Sequence, residues 1–251
     1  MNFSAAHLSR FFCGAAFVAL AAGCAPSAPE DATDNSPNNT VGNTAQSTPG
    51  QGESVEYVSS SLGLKGKLKE NYVDFAFTVP SGWELTEDGR SASAQNFVKV
   101  ERGLKDEKKG DFTLENFAVG YFSTSGNPAK DAANYPALVK QLSGQFEKGF
   151  VGEGLKGYKK VSEGKTKIGN LDAYEFRFEC KHTPPNQVPL TLWGRVVLLP
   201  KPKTQKGVAL IMLASSQATE IKSARDVGEK GQLPSILKTF KFAAPAPQKT
   251  E

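Results

Sequence analysis

The stretch Leu171-Asp172-Ala173-Tyr174-Glu175-Phe176-Arg177-Phe178-Glu179-Cys180-Lys181-His182 alternates almost without a break between large apolar and charged side chains. Tyr174, Phe176, Phe178 and Cys180 fall on one side of an extended chain, and Glu175, Arg177, Glu179 and Lys181 on the other. A period of two is the pattern of a strand that packs on one face and meets water on the other. The charged row carries both signs, so cross-strand pairing on a wet face explains it more simply than acid–base catalysis. Gly169-Asn170 just before it reads as a turn, and Thr183-Pro184-Pro185 just after it as a loop.

Working outward, residues 190–199 and 208–214 are apolar at both odd and even positions. Such runs belong to central strands covered on both faces, with residues 200–207 as the turn between them. Residues 72–79 alternate again, with Val73, Phe75, Phe77 and Val79 on one side, until Pro80-Ser81-Gly82 breaks the strand. Residues 96–102 and 113–123 read as two more strands. The mixed-sign cluster Lys105-Asp106-Glu107-Lys108-Lys109-Gly110-Asp111 between them reads as a solvated hairpin loop. Helical periodicity appears where Tyr135, Leu138, Val139, Leu142, Phe146 and Phe150 form one stripe. Asn134 and Pro136 suit its start, and Gly149 or Gly152 its end. A second helix is expected over residues 233–239 with Pro234 in its first turn and Phe240 and Phe242 pinning its end, and a further helical turn over residues 219–227. The sum is an α+β domain, an antiparallel sheet with helices packed on it.

Three segments carry a family resemblance: Phe77-Thr78-Val79-Pro80-Ser81-Gly82-Trp83, Gly169-Asn170-Leu171-Asp172-Ala173-Tyr174-Glu175, and Ser235-Ile236-Leu237-Lys238-Thr239-Phe240-Lys241-Phe242. They resemble the opening strand and P-x-G-W turn, the mid-domain hairpin and the closing helix of the PsbP/Mog1-like superfamily, with Thr239 where Ser is usual. The resemblance implies an αβα sandwich whose central antiparallel sheet has about six or seven strands flanked by helices. Members include DcrB-like bacterial lipoproteins, extrinsic photosystem II subunits and a nuclear-transport cofactor, and they mostly act by binding other proteins. The metal-binding histidines of the photosystem subunits do not carry over, because beyond the first segment only His182 remains. Within the opening motif, Pro80 ends the strand, Gly82 permits the bend and Trp83 covers the sheet edge, so this is a structural corner. Trp193, on an expected central strand, reads as core.

Leu20-Ala21-Ala22-Gly23-Cys24 resembles the lipobox of a bacterial lipoprotein, with Ala21 where Leu is usual. The apolar run over residues 11–22 is too short for a membrane span, which takes roughly 20 residues, and suits a secretory signal with Arg10 as its positive flank. The expectation is a signal peptide over 1–23, a lipid attachment at Cys24, a disordered Ser-, Pro- and Asn-rich linker over 24–52, one domain over 53–243 and a disordered tail over 244–251. Such a linker would act as a tether with a span of about 30 Å. Ala25 after the cysteine implies, by the same resemblance, the outer membrane facing the periplasm in a Gram-negative host. Of Cys13, Cys24 and Cys180, only Cys180 would be left as a free thiol, so no intramolecular disulfide is expected.

No chemistry-bearing set emerges. His182 is the one imidazole of the expected mature chain, and Cys180-Lys181-His182 lacks the further ligands a zinc site needs. Cys180 falls with the core aromatics and reads as an inert buried thiol. Gly-x-Ser-x-Gly, Walker A and His-Glu-x-x-His signatures are missing, and Gly149-Phe150-Val151-Gly152-Glu153-Gly154 does not follow a strand, so it is no dinucleotide loop. A formal charge of +4 is too mild to argue for nucleic acid. No heptad argues for assembly, so a monomer is expected. The reading is a lipid-anchored, non-enzymatic envelope lipoprotein without cofactor, metal or catalytic residue. It would be attached to the membrane through its N-terminal lipid and would bind another envelope protein or a small ligand between sheet and helix. The alternative is a hydrolase-like envelope enzyme with a site around His182.

Overall fold

The computed structural model describes residues 53–62, 64, 66–89, 96–106, 110–152, 156–182 and 189–243. The expected signal peptide, Cys24, the linker and the tail lie outside the described residues, as do residues 107–109 of the charged loop, 153–155 and the Thr183-Pro184-Pro185 loop.

Along the chain run β1 (Val55–Ser59), α1 (Gly66–Asn71), β2 (Phe75–Val79), β3 (Trp83–Glu87), β4 (Val98–Asp106), β5 (Gly110–Ser123), α2 (Pro128–Gly152), β6 (Lys156–Ile168), β7 (Leu171–His182), β8 (Leu190–Pro200), β9 (Lys206–Ser215), α3 (Leu233–Thr239) and β10 (Lys241–Phe242). The main sheet has seven strands in the order β3-β4-β5-β9-β8-β7-β6, all neighbours antiparallel. A second sheet of three strands, β1-β2-β10, lies over it. The chain forms the expected α+β class, and its central antiparallel sheet, expected to have about six or seven strands flanked by helices, has seven.

Period-two alternation decides the core on each face. From β9, Ala209, Ile211 and Leu213 join Phe176, Phe178, Cys180, Val196 and Leu198 under the α2 stripe of Tyr135, Val139, Leu142 and Phe146. From the same strand, Val208, Leu210, Met212 and Ala214 face the other way, against Phe75 and Phe77 of β2, Leu233 and Ile236 of α3, and Ile221 and Val227. The two runs read as apolar on both faces, β8 and β9, are therefore central strands with buried residues on both sides. Helix α3 has the expected bounds, with Pro in its first turn.

Several expectations shift. The long helix begins at Pro128, not near Asn134, because Asn127 caps it and Pro136 is tolerated inside on an exposed side. The strand expected over residues 72–79 starts at Phe75, with Tyr72 and Val73 buried in the approach to it. Residues 219–227 form turns, not helix. Five elements were not read from the sequence: β1, α1, β3, β10 and β6. The last is an edge strand whose only buried residue is Ile168. Its five lysines and two register shifts suit an edge that must not pair further.

The face of β7 expected to be wet is covered over Glu175 and Arg177, while Glu179 and Lys181 toward its far end stay in contact with water. Residues 216–232 cross this face as a strap without regular structure, burying Arg177 beneath them. Trp83 forms the expected corner: Gly82 takes φ 76°, and the Trp83 ring is fully buried. Its indole Nε1 donates to Oε1 of Gln232 at 2.6 Å, at the end of the strap.

Candidate functional site

The site is assembled at the end of the main sheet where α2 begins. Asn127 accepts hydrogen bonds at its side-chain oxygen from the amides of Ala129 and Lys130, at 3.0 and 3.2 Å, so the cap satisfies the free amides of the first turn. The Asp131 carboxylate accepts the Ser125 amide at 2.7 Å and folds the preceding loop back onto the helix. Two hairpin tips face this helix start. One is the β6–β7 turn, where Gly169 takes φ 57°. The other is the β8–β9 turn, where Lys203 takes φ 62° and the Thr204 hydroxyl donates to the Lys201 carbonyl at 2.9 Å. The Thr124 amide donates to the Gln205 carbonyl at 2.9 Å and ties that tip to the loop before α2.

Between these parts lies a cleft of about 530 Å³, within the range typical of small-molecule sites. Its apolar lining comes from Pro128, Ala132, Tyr135, Leu171, Tyr174 and Pro200. Tyr135 and Tyr174 stack with ring centroids 5.3 Å apart. Its charged lining is Lys165, Lys201 and Lys203 with Asp131 and Asp172. Both carboxylates are engaged, Asp131 by the Ser125 amide and Asp172 by Lys167 at 3.1 Å. Burial, with Asp131 adding to it, pushes the Tyr135 phenol up to about 12, and burial also raises Tyr174, so both stay neutral and serve as surface and hydrogen-bonding groups rather than bases.

A second charged cluster lies beneath the strap. Arg177 and Arg195 are directly opposed across β7 and β8. Glu175 joins them, one oxygen 2.9 Å from Arg177 Nε and the other 2.7 Å from Arg195 Nη2. Arg177 Nη1 also donates to the carbonyls of Ala224, Arg225 and Val227, and Glu229 of the strap meets both arginines. Two arginines and two glutamates balance, Arg177 donates to three strap carbonyls and Arg195 reaches the strap through Glu229, so this cluster holds the strap down. At the strap's far end, fully buried Glu115 pairs with Arg102 at 2.7 Å and accepts the amides of Gln232 and Leu233. Burial pushes the Glu115 carboxyl up against the pull of Arg102.

Of the residues singled out in the sequence, Cys180 is fully buried under α2, and burial pushes its thiol up to about 12. His182 ends β7, away from the cleft-lining residues. Trp193 is core. Glu175 and Arg177 pair as expected, but in the interior rather than on a wet surface, because the strap covers them. The cleft lysines went unread: Lys201-Pro202-Lys203 presented itself as a turn, and Lys165 lies on the unrecognised β6. A cluster of lysines at two hairpin tips becomes visible only when the tips are brought together.

No family model matches the chain, and no curated protein matches it. Among solved structures the chain is similar to LpqN of Mycobacterium tuberculosis, described as involved in cell envelope biogenesis, with a TM-score of 0.41 and 13% identity over 76% of this chain and 92% of that one. It is also similar to cyanobacterial PsbP from Synechocystis, at 0.44 and 11% over 82% and 98%, and to the Ran-binding protein Mog1p of Saccharomyces cerevisiae, at 0.37 and 13% over 67% and 89%. All three scores lie below 0.5, so the likeness carries no argument about function, and the function is read from the chain's own residues.

Proposed function

We propose that this chain is a lipid-anchored, non-enzymatic binding module of the cell envelope, attached through Cys24 and taking a small ligand in the cleft between α2 and the two hairpin tips. The cleft is the observation that carries this reading. Among the described residues its lining holds no His, Cys or Ser, Asp131 accepts the Ser125 amide and Asp172 pairs with Lys167, and the Tyr135 phenol is held up at about 12. A nucleophile beside a base, which hydrolysis by side chains requires, is not among these groups. The lipobox-like Leu20-Ala21-Ala22-Gly23-Cys24 and the polar linker after it support the tether, with the outer membrane facing the periplasm as the address in a Gram-negative host.

The test is native mass spectrometry of the full chain extracted from its own membranes in mild detergent, beside an Ala132→Trp variant. Ala132 is exposed and lines the cleft, so the indole fills the space without entering the core. The expected result is a stoichiometric small adduct on the native chain, lost in the variant and released chemically unchanged. An adduct that survives Ala132→Trp overturns the cleft as the site. A ligand released with altered mass overturns the non-enzymatic reading and returns attention to His182.

A further inference from the structure

We infer that the ligand of this cleft is an organic anion, an apolar or aromatic body carrying a phosphate or carboxylate head, with Lys165 and Lys203 receiving the head. This rests on the cleft being the binding site, and it follows from which lining groups are still free to meet a ligand.

The neutral polar groups are largely committed. The hydroxyl of Thr124 donates to the Thr204 carbonyl and that of Thr204 to the Lys201 carbonyl, while the Thr166 hydroxyl lies 3.5 Å from Arg195. Of the acidic groups, Asp131 accepts the Ser125 amide, and Asp172 faces Lys167 in an exposed surface pair. The cations are not committed. Among the described residues neither Lys165 nor Lys203 has an ion-pair partner, and both are exposed. Lys201 is the third, its ammonium 5.9 Å from the centroid of the Phe242 ring. Three lysines against two aspartates, one of them paired with Lys167, leave the cleft with a net positive charge to meet its ligand.

Placement reinforces this. Lys165 is the register partner of Tyr174 across β6 and β7, so its stem starts beside the ring that stacks on Tyr135. Lys203 stands at the tip of the facing hairpin, its backbone held at φ 62°. Charge on two sides and aromatic and aliphatic surface between them fit a head-and-body anion better than a neutral sugar or an inorganic ion. Lysine suits the head because its ammonium is a point charge on a flexible stem and adapts to either oxyanion. The start of α2 does not compete for it, since Asn127 already caps the first amides.

The test is titration of the full chain, followed by backbone amide resonances, with three probes: phenyl phosphate, inorganic phosphate and phenyl β-glucoside. Phenyl phosphate should bind saturably, shift the amides of Tyr135, Ala173 and Lys203, and weaken as salt is raised. A Lys165→Ala, Lys203→Ala double variant, altered only at exposed positions, should bind it about tenfold more weakly, as expected for lost charged hydrogen bonds. Inorganic phosphate should bind more weakly than phenyl phosphate, and phenyl β-glucoside should leave the same amides unmoved. Equal binding of the glucoside, or no effect of the double variant, overturns the anionic head while leaving the cleft as a ligand site. Inorganic phosphate binding as tightly as phenyl phosphate overturns the apolar body. If none of the three probes moves the cleft amides, the anion inference and the cleft reading fail together.

Discussion

Arg177 and Arg195 stand directly opposite one another on β7 and β8, two like charges buried at 7% and 4% exposure. Opposed like charges destabilise a sheet, so the arrangement depends on the carboxylates that join them. Glu175 reaches both guanidinium groups from within β7, and Glu229 reaches both from the strap. The two are not equal, because the Glu229 side chain is 57% exposed and that of Glu175 only 16%. Removing the inner carboxylate leaves two buried cations underpaired. Glu175→Gln should therefore lower unfolding free energy by about 3 kcal/mol in urea titrations. Glu229→Gln, whose pairing is screened by water, should cost under about 1 kcal/mol. Equal losses in the two variants would show that Glu229 of the strap supplies as much of the needed charge as Glu175 of the strand.

Acid should loosen the strap before the sheet. Hydrogen bonding from Lys230, then from the Lys222 amide and Ser223, holds Asp226 down to about 2, against an ordinary 3.8. Burial alone would raise Glu175, but Arg195 and Arg177 outweigh it and hold it below the usual carboxylate range. A carboxyl whose folded pKa is depressed stabilises the fold above its unfolded pKa and loses that contribution as pH falls through the folded value. Glu115 and Glu101, raised by burial, act in the opposite sense and favour the folded state on the acid side. Hydrogen-exchange protection of the Lys222 and Glu229 amides should thus fall between about pH 4 and pH 2 while the amides of β8 and β9 hold. Asp226→Asn should remove the Asp226 share of this pH dependence and leave the part that Glu175 carries. Uniform loss of protection across both regions would contradict a separately pinned strap.

Cys180 should be inert in the folded chain. Its side chain is fully buried between Phe178 and α2, and burial, with Glu179 adding to it, pushes the thiol up to about 12. Only the thiolate alkylates readily. Iodoacetamide at pH 8 should leave the Cys180 peptide unmodified by mass spectrometry in native buffer and modify it fully in concentrated urea. Rapid modification without urea would mean that α2 lifts from the sheet on the timescale of the reaction.

Central strands and both later helices were legible because burial imposes a period on the residues themselves: Phe176 and Phe178 face α2, and Leu210 and Met212 face β2. Strand β6 was illegible for the complementary reason. An edge strand with one buried residue has no apolar period to show, and its lysines look like a loop. The start of α2 misled because Asn134 and Pro136 imitate a cap and first turn, whereas the true cap is Asn127. The strap was misread because its order comes from Arg102, Arg177 and Arg195 on distant strands rather than from its own sequence. The cleft shares this character: its lysines come from two hairpins separated in sequence, and nothing local marks them as neighbours.

Gly194 gives the register of β7 on β8 a sharp test. It lies directly opposite Phe178, and the Phe178 ring packs over the space where a side chain would be, so that a Cβ at Gly194 would fall 2.1 Å from the ring's Cζ. The ring has nowhere to go, since Phe146 and Tyr158 lie against it with centroids 5.4 and 5.2 Å away. Gly194→Ala should therefore destabilise the domain by about 2 kcal/mol, a typical cost of overpacking. Gly164→Ala on β6, where no atom lies within 4 Å, should change stability by less than about 0.5 kcal/mol. Shrinking the ring should relieve the clash, so in the Gly194→Ala background Phe178→Leu should cost much less than it does alone. Urea titrations of the four proteins of that cycle give the coupling directly. Strict additivity would mean that residue 194 does not face Phe178, and the register of the two strands would have to be redrawn.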